Sequence, residues 1–192
     1  MNTIEEYYNH KCEKPSDIHE HLPTIKRYAE ECEHITEMGV RDVVSTWALL
    51  AGSPKRMICI DIVDTVLIQD AERLAKEAGV DFTFIKEDTA NPDFVIEETD
   101  LLFIDTWHMY EQLSKEFELH GNRAKKYIIL HDTTLYGEVG DECDPPGTII
   151  KVPRPRRGLW QAIEEFIAAN SEWKVHERFH NNNGLTVLKR GE

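Results

Sequence analysis

Two short stretches carry side chains that could do chemistry. In "LLFIDTWHMYEQ", residues 101–112, an apolar run ends in Asp105, and His108 follows three positions later. In "YIILHDTT", residues 127–134, a second apolar run ends in His131 and Asp132. Imidazoles and carboxylates are the groups with which proteins move protons near neutral pH or hold divalent cations. Plainer roles fit the same residues: Asp105 capping the next helix, His108 packing in its first turn, His131 as a hydrogen-bonded core histidine that orients Asp132. Trp107 and Tyr110 flank the first pair, either as a platform for an acceptor or as core.

The elements that must position these groups read as alternating strands and helices. Strand-like runs fall at 34–39, 56–63, 81–88, 100–105 and 126–132, and helical spacing at 23–32, 43–52, 65–79, 109–120 and 158–169. Pro23 suits the first turn of its helix, and Asp64 is placed to cap the helix that stops at Gly79. This alternation predicts parallel β-α-β units in an α/β domain, and continuous apolar strands predict a sheet covered on both faces. "EWKVHERF" and "LTVLKR", joined by "NNNG", predict a terminal hairpin. Residues 1–33 read as a helical N-terminal segment ahead of a domain over 34–192. Residues 132–157, rich in Gly, Pro and Asp, form a loop long enough to act as a lid.

Ligands of an open parallel sheet bind outside the carboxyl ends of its strands. Those ends carry Glu37 with Gly39, Asp61, Asp88, Asp105 with His108, and His131 with Asp132. An acid at each of five ends points to a functional cleft. Asp61 follows Gly39 at the distance where an acid accepts two ribose hydroxyls, and Gly39 allows close backbone approach. The turn "GVRDVVST" lacks G-x-G-x-x-G, so a less phosphorylated adenosine ligand fits better than a dinucleotide.

These residues carry a resemblance. "ITEMGVRDVVST", "ICIDI", "FIDTWHMY", "YIILHDTT" and the ending "GLWQAIEEFI…NNNGLTVLKR" resemble the class I S-adenosylmethionine (SAM)-dependent methyltransferases over roughly residues 34 to 190. The branch with cephalosporin-biosynthesis and macrolide-sugar O-methyltransferases is the most similar. The resemblance implies a Rossmann-like three-layer sandwich whose mostly parallel seven-stranded sheet ends in an antiparallel strand. It implies that Glu37, Gly39, Ser45 and Thr46 serve the methionine and ribose part of SAM, that Asp61 binds the ribose and that Asp88 lies near the adenine. It further implies a metal at Asp105, Asp132 and His131, the last standing where some relatives have a second acid. Mg²⁺ or another divalent cation would orient the acceptor and lower its hydroxyl pKa, and His108 in the D-x-x-H spacing would be the base. One departure is Val43, where relatives often carry glycine; it either narrows the SAM site or repacks the turn. The implied reaction is methyl transfer to a hydroxyl of a small polyol or sugar-like acceptor. The alternatives are a non-methylating SAM enzyme, such as a SAM-cleaving one, and a non-catalytic binding module on the same scaffold.

Composition sets the bounds. The 192 residues carry 36 acids against 22 lysines and arginines, a formal charge of −14, which counts against nucleic acid as a partner. "KVPRPRRG" (151–158) is the one basic patch, and its arginines could hold an anionic acceptor or be solvated. Cys12, Cys32, Cys59 and Cys143 are scattered without C-x-x-C, which argues against a zinc ribbon or a disulfide framework. His19 and His21 near Cys12 and Cys32 read as polar groups of an exposed segment rather than a zinc site. No apolar run is long enough for a membrane span and no signal-peptide layout opens the chain, so the expected location is the cytoplasm, with a small-molecule acceptor as partner and homo-oligomerisation left open.

Overall fold

The structure is a computed structural model and describes residues 1–191. Seven strands form one sheet: β1 (His34–Met38), β2 (Arg56–Asp61), β3 (Asp81–Lys86), β4 (Thr99–Ile104), β5 (Ala124–His131), β6 (Trp173–Phe179) and β7 (Leu185–Arg190). Their spatial order is β3-β2-β1-β4-β5-β7-β6. β1 to β5 run parallel, and β7 is antiparallel to both of its neighbours.

Alternation along the strands builds two cores. In β4, Leu101 and Phe103 face one layer while Leu102 and Ile104 face the other. The first layer holds α2 (Leu22–Ala29), α3 (Ser45–Ala51) and α4 (Ile68–Glu77), with α1 (Ile4–Glu13) packed outside through Tyr7. The Tyr7 ring stacks on Trp47 with centroids 4.0 Å apart. The second layer holds α5 (Tyr110–His120) and α6 (Leu159–Ala169). The result is the expected three-layer sandwich. Ile18, Leu22, Ile25 and Tyr28 join the same apolar cluster as the sheet, so residues before β1 are packed into the domain.

Local departures from the sequence reading have tertiary causes. Asp64 does not cap α4, which begins at Ile68; its carboxylate pairs instead with Lys86 at 2.6 Å on the neighbouring strand. His21 is buried rather than exposed, and its Nε2 lies 2.9 Å from the Asn181 carbonyl. The hairpin turn is as expected, with Asn182, Asn183 and Gly184 all at positive φ. No described helix is long and apolar enough to cross a membrane.

Strand order reverses between β1 and β4, and the crevice opens there at the carboxyl edge. Gly39, at φ 87°, lies so close to β4 that a Cβ would stand 1.9 Å from the Asp105 carbonyl oxygen. Only glycine permits this approach, and it welds the turn after β1 to the end of β4.

Candidate active site

A cleft of about 520 Å³ runs along that edge. Gly39, Ser45, Asp61 and Asp88 line it, as do Asp105 and His108. The carboxyl ends of four strands, β1 to β4, thus meet at one cavity. Glu37 and Thr46 do not reach it. Glu37 is fully buried beneath α3, where its carboxyl accepts hydrogen bonds from Ser45 Oγ (2.6 Å), Thr46 Oγ1 (2.8 Å) and Cys59 Sγ (3.1 Å). Burial, opposed by these donors, pushes its pKa up to about 7. The expectation that Glu37 lines the site is corrected: it anchors the turn from behind.

Asp61 Oδ2 accepts from the N–H groups of Val40 (2.7 Å) and Arg41 (3.0 Å), and Oδ1 from Val63 N–H (2.9 Å). Its carboxylate therefore stitches the β1 and β2 turns together while lining the cleft. Val43 has φ 54°, an unusual backbone for a β-branched residue, and its side chain is buried in the first apolar layer. It repacks the turn and is not among the cleft-lining residues. Asp88 accepts from Ala90 N–H (2.9 Å) and from Ile149 N–H (3.0 Å), the second bond coming from the long loop. Pro145, Pro146 and Thr148 of that loop line the cleft, so it lies as a lid over the Asp88 end.

At the opposite end the two sequence motifs converge. His108 Nε2 is 2.9 Å from Asp132 Oδ2 and 3.2 Å from Asp105 Oδ1. His131 Nδ1 is 3.4 Å from both Asp105 and Asp132. Successive strand residues point to opposite faces, yet His131 and Asp132 share a site because Asp132 turns into the left-handed region at φ 59°. Burial opposes charge on every member, but the two carboxylates outweigh it and raise His108 to about 9 and His131 to about 10. In return the imidazoles, again against burial, lower Asp132 to about 2 and hold Asp105 well below the usual carboxylate range. Without a cation, the carboxylates thus favour the protonated His108 ring at neutral pH. Asp105 caps nothing: the residue before α5 is Met109.

Several participants had no sequence signal of their own. Tyr136 stacks on the His108 ring, with centroids 4.8 Å apart and planes 4° from parallel. Glu116, fully buried, accepts from Thr106 Oγ1 (3.0 Å), Gln112 Nε2 (2.9 Å) and the Thr89 hydroxyl, and burial raises its pKa to about 7 against those bonds. Its i, i+4 relation to Gln112 on the inward face of α5 was the available hint. Trp107 lines the cleft under the Arg156 guanidinium, 4.6 Å from its ring. Tyr110 instead points to α6, donating to Glu165 at 2.6 Å. The arginines are all engaged: Arg154 with Glu142, Arg156 with Asp144 and the carbonyls of Asp141 and Cys143, and Arg157 with Glu111.

No family model matches the chain, and no curated protein does. Solved structures are similar in fold. The O-methyltransferase from Bacillus cereus in complex with SAH is 17% identical with a TM-score of 0.64, over 99% of this chain and 91% of that one. The SAH-bound Podospora anserina methyltransferase PaMTH1 is 16% identical with a TM-score of 0.60, over 100% and 89%. The O-methyltransferase TomG from Streptomyces achromogenes, in complex with SAM, is 17% identical with a TM-score of 0.54, over 88% and 80%. The fold is therefore that of the class I SAM-dependent methyltransferases. At these identities the likeness defines the architecture, and the chemistry of this chain rests on its own cleft.

Proposed function

We propose that the chain transfers a methyl group from SAM to a hydroxyl of a small polyol or sugar-like acceptor, assisted by a divalent cation. One observation carries the reading: a single cleft runs from the Gly39–Asp61–Asp88 turns to Asp105 and His108, which contact His131 and Asp132 directly behind its wall. The lining is rich in acids, and Arg41 is its one lysine or arginine among the described residues. That field suits a sulfonium cofactor and a metal cation. It disfavours an anionic acceptor, and the arginines that could have held one are paired with Glu142, Asp144 and Glu111.

Asp105, Asp132 and His131 would hold the cation: one donor atom from each lies within 4.8 Å of the others, and His131 Nδ1 and Asp132 Oδ1 are buried without hydrogen-bond partners. Bound there, the cation would supply charge that lowers the pKa of an acceptor hydroxyl. The protein's own groups do the rest. Trp107 and the lid prolines wall the cleft, and Tyr136 stacks on the His108 ring. The carboxylate charge that favours the protonated His108 ring would be offset by a cation held by Asp105 and Asp132. Neutral His108 Nε2 would then take up the hydroxyl proton as the C–S bond of SAM breaks and the methyl group moves in line to oxygen.

The test is titration calorimetry with S-adenosylhomocysteine, followed by methyl transfer from labelled SAM to a panel of polyols and sugars. Saturable nucleoside binding and label in an acceptor are expected. Absence of nucleoside binding, or SAM breakdown without a methylated product, would overturn the reading.

A further inference from the structure

The cation cluster is not built from oxygen alone. His131 is 2% exposed, and its Nε2 faces two backbone carbonyls, Asp17 O at 3.1 Å and Asn182 O at 3.2 Å. Carbonyls only accept, so Nε2 carries a proton and donates it. In the neutral ring the tautomer is thereby fixed, and Nδ1 is the atom left for a cation that displaces its proton. Nδ1 points at Asp105 and Asp132, 3.4 Å from each, without making a hydrogen bond to either, and Asp132 Oδ1 is likewise buried and unpartnered. An imidazole whose distal N–H is held by backbone carbonyls, and whose proximal nitrogen aims between two carboxylates, has the outer-shell support of a metal-ligating histidine.

We infer that His131 Nδ1 is a ligand, making this a two-carboxylate, one-imidazole site that selects a divalent first-row transition ion over Mg²⁺. Mg²⁺ prefers hard oxygen donors and retained waters in a near-ideal octahedron, and a fixed nitrogen disfavours it. Mn²⁺, Co²⁺ and Zn²⁺ accept mixed nitrogen and oxygen sets, with affinity rising toward the later ions. The backbone that presents His131 belongs to the rigid end of β5, and Asp17 and Asn182 belong to two different loops, so the ring cannot swing away without breaking contacts to both. The inference deepens the metal-assisted part of the proposed function, but it concerns the ion alone and is measured without SAM or acceptor.

The experiment is calorimetry on the full chain, chelated and then titrated with CoCl2, MnCl2 or MgCl2, for the wild type and for His131→Asp. Carboxylate-only sites also favour later metals somewhat, so the variant decides. The Co²⁺-over-Mg²⁺ preference should fall by on the order of tenfold or more when the nitrogen becomes an oxygen. A preference unchanged in a folded variant, or Mg²⁺ bound by the wild type as tightly as Co²⁺, would overturn the inference. Should His131→Asp fail to fold, NMR of the Co²⁺-loaded wild type replaces it. One hyperfine-shifted, slowly exchanging imidazole N–H is expected from the buried Nε2, and it should persist in His108→Ala. Its absence from the Co²⁺-loaded protein, or failure of any of the three ions to bind, would equally overturn it. Failure of methyl transfer with this selectivity intact would count against the reaction and not against the ligand.

Discussion

His108 is the base of the proposed reaction, and its setting makes a split prediction. Replacing it by alanine removes the proton carrier but no cleft wall that touches the nucleoside half. Methyl transfer should fall by about 10²–10⁴-fold, while S-adenosylhomocysteine affinity should change little. Equal losses in both would mark a structural role. Glu37 makes a different prediction because its proton is held by burial. Its pKa rises from 4.5 to about 7 on folding, so the folded chain binds that proton more readily than the unfolded one. Its contribution therefore falls as pH rises from about 4.5 to 7 and is flat above that window. Glu37→Gln should be more stable than wild type at pH 8 by on the order of 2 kcal/mol, with the gap closing toward pH 4.5; denaturant melts across pH will show it. The histidines behave oppositely. Their favourable pairing is complete below 6.5 and is lost as pH rises through about 9 for His108 and about 10 for His131. Chelated protein should lose stability in that alkaline range. The carboxylate pairing of Asp132 persists above 3.8 and is lost toward about 2.

At the scale of elements, Gly39 is the joint between β1 and β4. Gly39→Ala would force a side chain onto the Asp105 carbonyl and hold a non-glycine residue at φ 87°. A loss of about 3 kcal/mol is expected, read by chemical denaturation, together with loss of nucleoside binding. The elements themselves were largely legible. Apolar runs such as "RMICID" and "TDLLFI" can only be buried strands, and helical spacing between them forces parallel crossovers. The D-x-x-H and H-D endings were legible for the same reason, because a charge at the end of a buried run stands out against its neighbours. Glu37 misled because it ends an apolar run too; which way a side chain near a strand end points depends on register and on the helix above it. Asp64 misled because its partner, Lys86, comes from another strand. Tyr136 gave no signal since its meaning lies in a contact made across the fold, and Glu116 gave only its helical spacing to Gln112.

The whole molecule closes its cleft with the lid, and Arg156 is the clasp. Its guanidinium covers Trp107 and donates to the Asp141 and Cys143 carbonyls from a buried position. Arg156→Ala leaves those acceptors unpaired and should cost about 1–3 kcal/mol. Limited proteolysis should report it as faster cleavage within residues 141–153, with the sheet core still protected. The lid also engages Asp88 through Ile149, so a ligand at the Asp88 end must share or displace that bond.

The ring of His131 has one more bearing on the molecule. Its outer nitrogen is gripped by Asp17 from the N-terminal segment and by Asn182 from the last hairpin, far apart in sequence. A chain begun at residue 34 would keep every strand and every acid at the carboxyl edge, yet it would lose the Asp17 carbonyl that helps aim the imidazole. The leading segment that reads as a preface to the domain thus reaches into the proposed cation site and shares in aiming its imidazole.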